Sequence, residues 1–166
     1  MSQKTSTTTS IWRSGGGDST KTSYAGSMLM VADFYFAADA AAETAVQRAS
    51  NDTRSVILPV GAVVVEIQVN AAGTGGTDPT YDLGWEGYSD SSVKDADGLV
   101  AEGDADSGKQ VINWATATVP GDDLGVAMST TQMVKITGSQ GDSAATGGNI
   151  SGRLIYYVPT DGAYTS

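Results

Sequence analysis

The stretch ILPVGAVVVEIQVN, residues 57–70, limits the possible folds more than any other part of this chain. After Gly61, Val63, Val65, Ile67 and Val69 alternate with Val64, Glu66, Gln68 and Asn70. A period of two, rich in β-branched residues, is the pattern of a strand with one buried and one wetter face. Just before it, Pro59 fixes φ and removes a ladder donor, and Gly61 permits a positive φ. LPVGA therefore predicts a corner, where a strand leaves one sheet and enters the core of another.

Other segments repeat the pattern. SMLMVADFYFA, residues 27–37, places Met28, Met30, Ala32, Phe34 and Phe36 on one face and Leu29, Val31, Asp33 and Tyr35 on the other. Both faces are largely apolar, so the expectation is a strand covered on both sides. TYDLGWEGY, from Thr80, is a half-buried strand with Tyr81, Leu83 and Trp85 inward. KQVINWATATV (109–119), AMSTTQMVKITG (127–138) and ISGRLIYYVP (150–159) are further strand candidates, the last with Ile150, Leu154, Tyr156 and Val158 on one face. ADAAAETAVQRAS, 38–50, breaks the alternation and reads as a short helix or a surface loop. The residues around Leu99 to Ala101 have the composition of a single helical turn inside an acidic loop, 89–108. Gly-, Asp- and Pro-rich loops separate the segments. The expected fold is all-β: one β-sandwich or jelly-roll-like domain over 24–166, preceded by an extended polar N-terminal arm, 1–23. The plainer reading of that segment is a floppy tail, and in the sharper one Ile11 and Trp12, followed by Arg13, pin it to a neighbouring subunit.

Composition removes whole classes of chemistry. The chain has no Cys and no His, so Cys or His zinc sites, Cys nucleophiles, Ser-His-Asp triads and disulfide scaffolds lack their parts. Nine Lys plus Arg against 19 Asp plus Glu give a net charge of −10, which disfavours nucleic acid and anionic lipid. No run approaches a membrane span, and MSQKTSTTTS lacks the apolar centre of a signal peptide, so neither is expected.

Several constellations have a sharper and a plainer reading. Asp95, Asp97, Glu102, Asp104 and Asp106 are hard oxygen donors for Ca²⁺, with Gly98 as a turn residue, but their spacing departs from a Ca²⁺ loop and a solvated acidic segment is favoured. Two carboxylates across a cleft would serve glycoside hydrolysis, yet nothing in the sequence sets any pair at that distance. No motif locates a Ser-Lys pair, and SGGG and AGTGGT lack the Lys of a phosphate loop. Trp12, Trp85, Trp114, Tyr156 and Tyr157 have faces that stack on sugars, but aromatics alternating along strands are more often core or interface anchors. No catalytic residue, cofactor or metal ligand is assigned, and the chain is read as a non-enzyme. Tyr156 and Tyr157 join Ile11, Trp12 and Arg13 as interface candidates.

The succession ILPVGAVVVEIQV, a Gly/Thr loop, YDLGWEGYSD, DADGLVAEGDA and GGNISGRLIYYVP resembles small virion structural proteins of tailed bacteriophages over residues 56–158. Among them it is most similar to capsid decoration, or cement, proteins. That resemblance implies a β-sandwich or jelly roll with a short Asp-Gly-Leu helical turn, commonly a homotrimer. It also implies a place on the outer surface of the mature capsid, where the protein stabilises the head by bridging capsomers of the major capsid protein. The alternative is a tail- or fibre-associated module that binds a host-surface glycan.

Overall fold

The chain changes sheets at the Pro-x-Gly bend. In a computed structural model that describes residues 28–113 and 121–159, Ile57–Leu58 (β3) belongs to one sheet and Val63–Thr74 (β4) to the other. Between them Gly61 takes φ 76°, Ala62 N–H donates to Pro59 O at 3.1 Å, and Gly61 N–H donates to Ser129 O at 2.7 Å. The corner expected from LPVGA is there.

The other strands are Met30–Ala37 (β1), Thr44–Ala45 (β2), Thr80–Gly87 (β5), Lys94–Asp104 (β6), Gly108–Asn113 (β7), Val134–Gln140 (β8) and Gly147–Tyr157 (β9). One sheet has the order β1-β9-β4-β7, the other β2-β8-β5-β6, with β3 also on β8; every pairing is antiparallel. The pairs β1·β9, β2 and β3·β8, β4·β7 and β5·β6 nest inside one another like the two arms of a long hairpin. Folding that ribbon over itself brings β4 beside β9 and β5 beside β8. This is the jelly-roll arrangement, and the all-β sandwich expected from the sequence is the observed fold.

The core lies between the sheets. Ala32, Leu154, Ile67 and Ile112 stand opposite one another across the first sheet and face Leu83, Trp85 and Ile136 of the second. Phe34 and Phe36 lie over Gly152 and Gly138, where a Cβ would come within about 3 Å of the ring. The closing strand presents Ile150, Leu154 and Tyr156 inward, as its alternation predicts.

Four expectations need correction. First, of the two readings of 38–50 the helix is absent and the loop holds for most of it, interrupted where Thr44 and Ala45 pair with Gly138 and Thr137, Val46 N–H donates to Ile136 O at 2.9 Å, and Gln47 bridges to Tyr35 and Ser55. Alanine's weak helical preference loses to backbone pairing offered by β8 and β1. Second, the helical turn at Leu99–Ala101 is part of strand β6. Between the pairs Leu83–Val100 and Trp85–Asp95, two steps on β5 face five on β6, so Asp95–Gly98 arches over the outer side of Gly84. Third, β1 is covered on one side only: Phe34 and Phe36 are buried, whereas Val31 is 57% exposed. Fourth, β8 begins at Val134, and Ala127–Met133 is a loop.

A further difference sits in β4. A bulge between Val64 and Glu66 shifts the alternation, so that Val64, not Val65, joins Ile67, Val69 and Ala71 in the core. Residues 1–23 and Trp114 lie outside the described residues.

Gly84 supplies a test of the arch. A Cβ there would stand 2.1 Å from Asp95 O and 2.3 Å from backbone atoms of Ala96, groups that have no rotamer by which to move aside. Gly84→Ala is expected to destabilise the domain by about 1–3 kcal/mol, the range for overpacking, measured as a lowered midpoint of chemical unfolding. A midpoint equal to the wild type would show that β6 does not cross Gly84.

Candidate interaction surface

The antiparallel ribbon sorts its loops between two ends of the sandwich. At one end are the turns before β4 (59–62) and between β5 and β6 (88–93), and the described part of the β7–β8 connection (121–133). Hydrogen bonds bind these together. Met128 N–H donates to Ala62 O at 3.3 Å, Gly125 N–H to Val64 O at 2.7 Å, and Tyr88 N–H to Met133 O at 2.9 Å. Gln132 Oε1 accepts from the N–H groups of Ser89 and Asp90, each at 3.0 Å. Both the entry to β1 and the exit of β9 lie at this end, because Met30 pairs with Tyr156 and Val63 with Tyr157.

Here the exposed apolar side chains collect. Of the ten large exposed hydrophobics among the described residues, Met28, Leu29, Ile57, Val60, Tyr88, Val93, Val126 and Met133 belong to this end; Val31 and Val111 do not. The other end has a different chemistry. Its loops, 38–43, 75–79, 105–107 and 141–146, carry Asp39, Glu43, Asp78, Asp106 and Asp142 and none of those ten hydrophobics. Ala105 N–H to Pro79 O and Thr80 N–H to Ser143 O, each 2.8 Å, tie them together. The two ends thus differ in where the exposed apolar side chains gather, while acidic residues occur at both, Asp90 and Asp122 among the loops of the apolar end. Apolar patches of this kind on a folded domain mark surfaces that meet another protein.

Beside the apolar end, a groove of about 310 Å³ opens between the edges of the two sheets, lined by Val31, Ala32, Asp33, Arg48, Val56, Ile57 and Tyr156. Of the interface candidates, Tyr156 lines this groove and packs against the core, and Tyr157 is buried on the other face of β9. Ile11, Trp12 and Arg13 lie outside the described residues. Val60, Val93, Val126 and Met133 were not legible as surface residues, since they stand in loops without periodic neighbours.

The acidic segment does not converge on one point. Asp95, Asp97 and Asp122 line a small hollow, and next to Asp95 the Trp85 Nε1–H donates to Asp123 Oδ2 at 2.7 Å. Glu102, at φ 54°, accepts from Thr80 Oγ1–H and, at 2.9 Å, from Asp142 N–H. Asp104 accepts from Asp106 N–H at 3.1 Å, at the far end of β6. An extended chain separates residues nine apart by roughly 20–30 Å, so these carboxylates cannot surround a single ion. Among the described residues no group of three or more acidic side chains has metal-binding geometry. Trp85 is buried, so its ring is core and offers no face to a sugar.

No protein-family model matches the chain, and no curated protein matches it. Among solved structures, a chain of the cyanophage Pam1 capsid asymmetric unit is similar, with 18% identity, a TM-score of 0.41, and coverage of 80% of this chain and 86% of that one. A score of that size establishes neither a shared fold nor a shared role.

On the outer face of the second sheet, Asp82 Oδ1 accepts from Glu102 N–H at 2.9 Å. Partial burial pushes its pKa up, and the charges of Glu102, Asp97 and Asp142 push the same way against that hydrogen bond. A carboxyl whose pKa is raised on folding binds more protons in the native state, so its contribution to stability falls as pH rises from about 4 through the folded pKa. Asp82→Asn keeps the acceptor and removes the charge. It is expected to raise Tm at pH 7 relative to the wild type and to leave Tm at pH 3.5 unchanged. Calorimetry at the two pH values checks the sign.

Proposed function

We propose that this chain is a bacteriophage virion structural protein that decorates the outside of the mature capsid and stabilises it by bridging capsomers. The observation that carries the proposal is the gathering of exposed apolar side chains at one end of the jelly roll, opposite an acidic end. A domain built this way stands on a protein surface with its apolar end down and its charged end in water. The order of sequence segments that resembles phage decoration proteins supplies the kind of surface. The work of such a protein is binding alone. A copy that binds the expanded shell and not its precursor stabilises the expanded form by mass action, and copies held together as a homotrimer engage several sites at once.

The glycan-binding alternative loses one of its aromatic supports, because Trp85 is enclosed in the core. Tyr88 stays exposed, but it belongs to the apolar end and has no exposed aromatic partner among the described residues.

The test mixes purified protein with expanded, undecorated heads and images them by electron microscopy. Density is expected at capsomer junctions, with the apolar end toward the shell. Val126→Asp and Met133→Asp lie on exposed loop positions, so each is expected to change stability by less than about 0.5 kcal/mol and to lower shell occupancy at least tenfold together. Bare junctions with wild-type protein would overturn the proposal. Light scattering of the free protein is expected to give three times the monomer mass of 16.9 kDa, and a monomer would remove the trimer from it.

A further inference from the structure

Two of the ten large exposed hydrophobics, Val31 and Val111, lie away from the apolar end, and each is 57% exposed. They stand on β1 and β7, the two outer strands of the first sheet, and point to its outer face, since Ala32 and Ile112 beside them pack against the core. The backbone at these positions is open too. Tyr35 N–H and O both bond to Gln47, at 2.7 and 2.9 Å, on the side of β1 away from β9. Backbone groups of alternate residues in a strand point the same way, so those of Val31 and Asp33 also face away from β9. Across the sheet Asp33 stands opposite Arg153, Arg153 opposite Gln68, and Gln68 opposite Val111. The antiparallel alternation, carried through those three pairs, turns the groups of Val111, and of Lys109 two residues before it, away from β4. Among the described residues nothing pairs with the backbone of Val31, Asp33, Lys109 or Val111 on these open sides. Neither outer strand of the second sheet offers such an edge: β6 arches between Asp95 and Gly98, and β2 is two residues long.

We infer that copies of this chain meet along these edges, with β7 of one copy added antiparallel to β1 of the next. Setting Val111 opposite Val31 sets Lys109 opposite Asp33, so one register forms both an apolar pair and an ion pair, the cross-strand contacts that stabilise sheets. Asp33 is available for it, because its own ion pair with Arg153 is a loose one, at 3.7 Å. The groove of about 310 Å³ beside Val31 and Asp33 gives the incoming strand room. Charge favours the same side of the molecule. On the outer face of the first sheet Asp33 and Glu66 are balanced by Lys109 and Arg153, whereas the whole chain has a net charge of −10. Two acidic molecules repel least where their facing charges cancel. Because β7 runs antiparallel to β1 within one copy, the antiparallel addition also leaves all copies pointing the same way. Their apolar ends then lie on one side of the assembly. The contact is head-to-tail, which gives a ring when the rotation closes. The inference rests on the proposed homotrimer only for the number of copies in that ring, and holds whether or not the ring binds a capsid.

Because the chain has no cysteine, designed thiols report without background. Within one copy β1 and β7 are three strand spacings apart, roughly 14 Å, beyond the reach of a disulfide. A one-to-one mixture of full-length Val31→Cys and Val111→Cys chains, left to exchange subunits at low micromolar concentration, is expected to form the mixed disulfide under mild oxidation. Its rate should exceed that of either chain alone with itself by about tenfold or more, since the contact holds the two thiols at a far higher effective concentration. Asp33→Lys and Lys109→Asp both change exposed side chains. Each is expected to raise the concentration at which light scattering shows dissociation by about tenfold, and the two reversals in one chain to restore the wild-type value. Faster coupling of either single-cysteine chain with itself would mean a two-fold contact and overturn the inference. Equal rates in all three samples, or charge reversals that leave the measured mass unchanged, would overturn it as well. No capsid takes part in these measurements, so a failure of the capsid reading leaves their outcome untouched.

Discussion

The structure depends on β4 being paired along both of its edges. Its twelve residues meet β9 on one side and β7 on the other, so it sits inside the first sheet and fixes the order of everything around it. Because β4 enters from the 59–62 bend, its placement also sets where the chain crosses between sheets. The bulge at Val64–Glu66 then turns Val64 into the core without disturbing Ile67, Val69 and Ala71. A slip of one residue in this strand would put those side chains into water, and burying one of them is worth about 1.5–3 kcal/mol.

From that central strand follows the polarity that gives the molecule its surface. Nesting of the strand pairs sends alternate loops to opposite ends, and the sequence has loaded the two sets differently. The 59–62, 88–93 and 121–133 loops carry Val60, Tyr88, Val93, Val126 and Met133; the opposite loops are built of Ala, Gly, Ser, Thr, Pro and acidic residues. Gln132 matters here, because its amide oxygen holds the 88–93 turn against the 126–133 segment. With the Tyr88 N–H to Met133 O bond, this clamp makes one surface of the exposed apolar side chains on the two loops. The acidic outer face of the second sheet works in the opposite sense. Its carboxylates are occupied with one another, with Trp85 and with backbone donors.

Much of the fold was legible in the residues themselves. The Pro59–Gly61 corner, the inward set Tyr81, Leu83 and Trp85, and the face of Ile150, Leu154 and Tyr156 all follow from local periodicity and from the φ restrictions of Pro and Gly. The mistakes have a common cause. Ala-rich 38–50 has helical propensity, yet β8 and β1 present free backbone groups that only pairing satisfies. Leu99 and Val100 look like a helical turn because two adjacent apolar residues break alternation; in fact β6 is bulged there and both are buried. β1 looks doubly covered because both of its faces are apolar, yet it is an edge strand with one face open.

Sequence alone determined the class of structure and the chemistry the chain lacks: an all-β domain without cysteine or histidine, acidic overall. These are properties of composition and of neighbours within a few residues. Only the tertiary structure decided that Val60, Tyr88, Val93, Val126 and Met133 share one end, that the carboxylates from Asp95 to Asp106 do not surround a single point, and that a groove opens beside β1 between the two sheets. Each depends on which strands pair across tens of residues. Pairing of that kind is set by the lowest free energy of the whole ribbon, and no local pattern in the sequence encodes it.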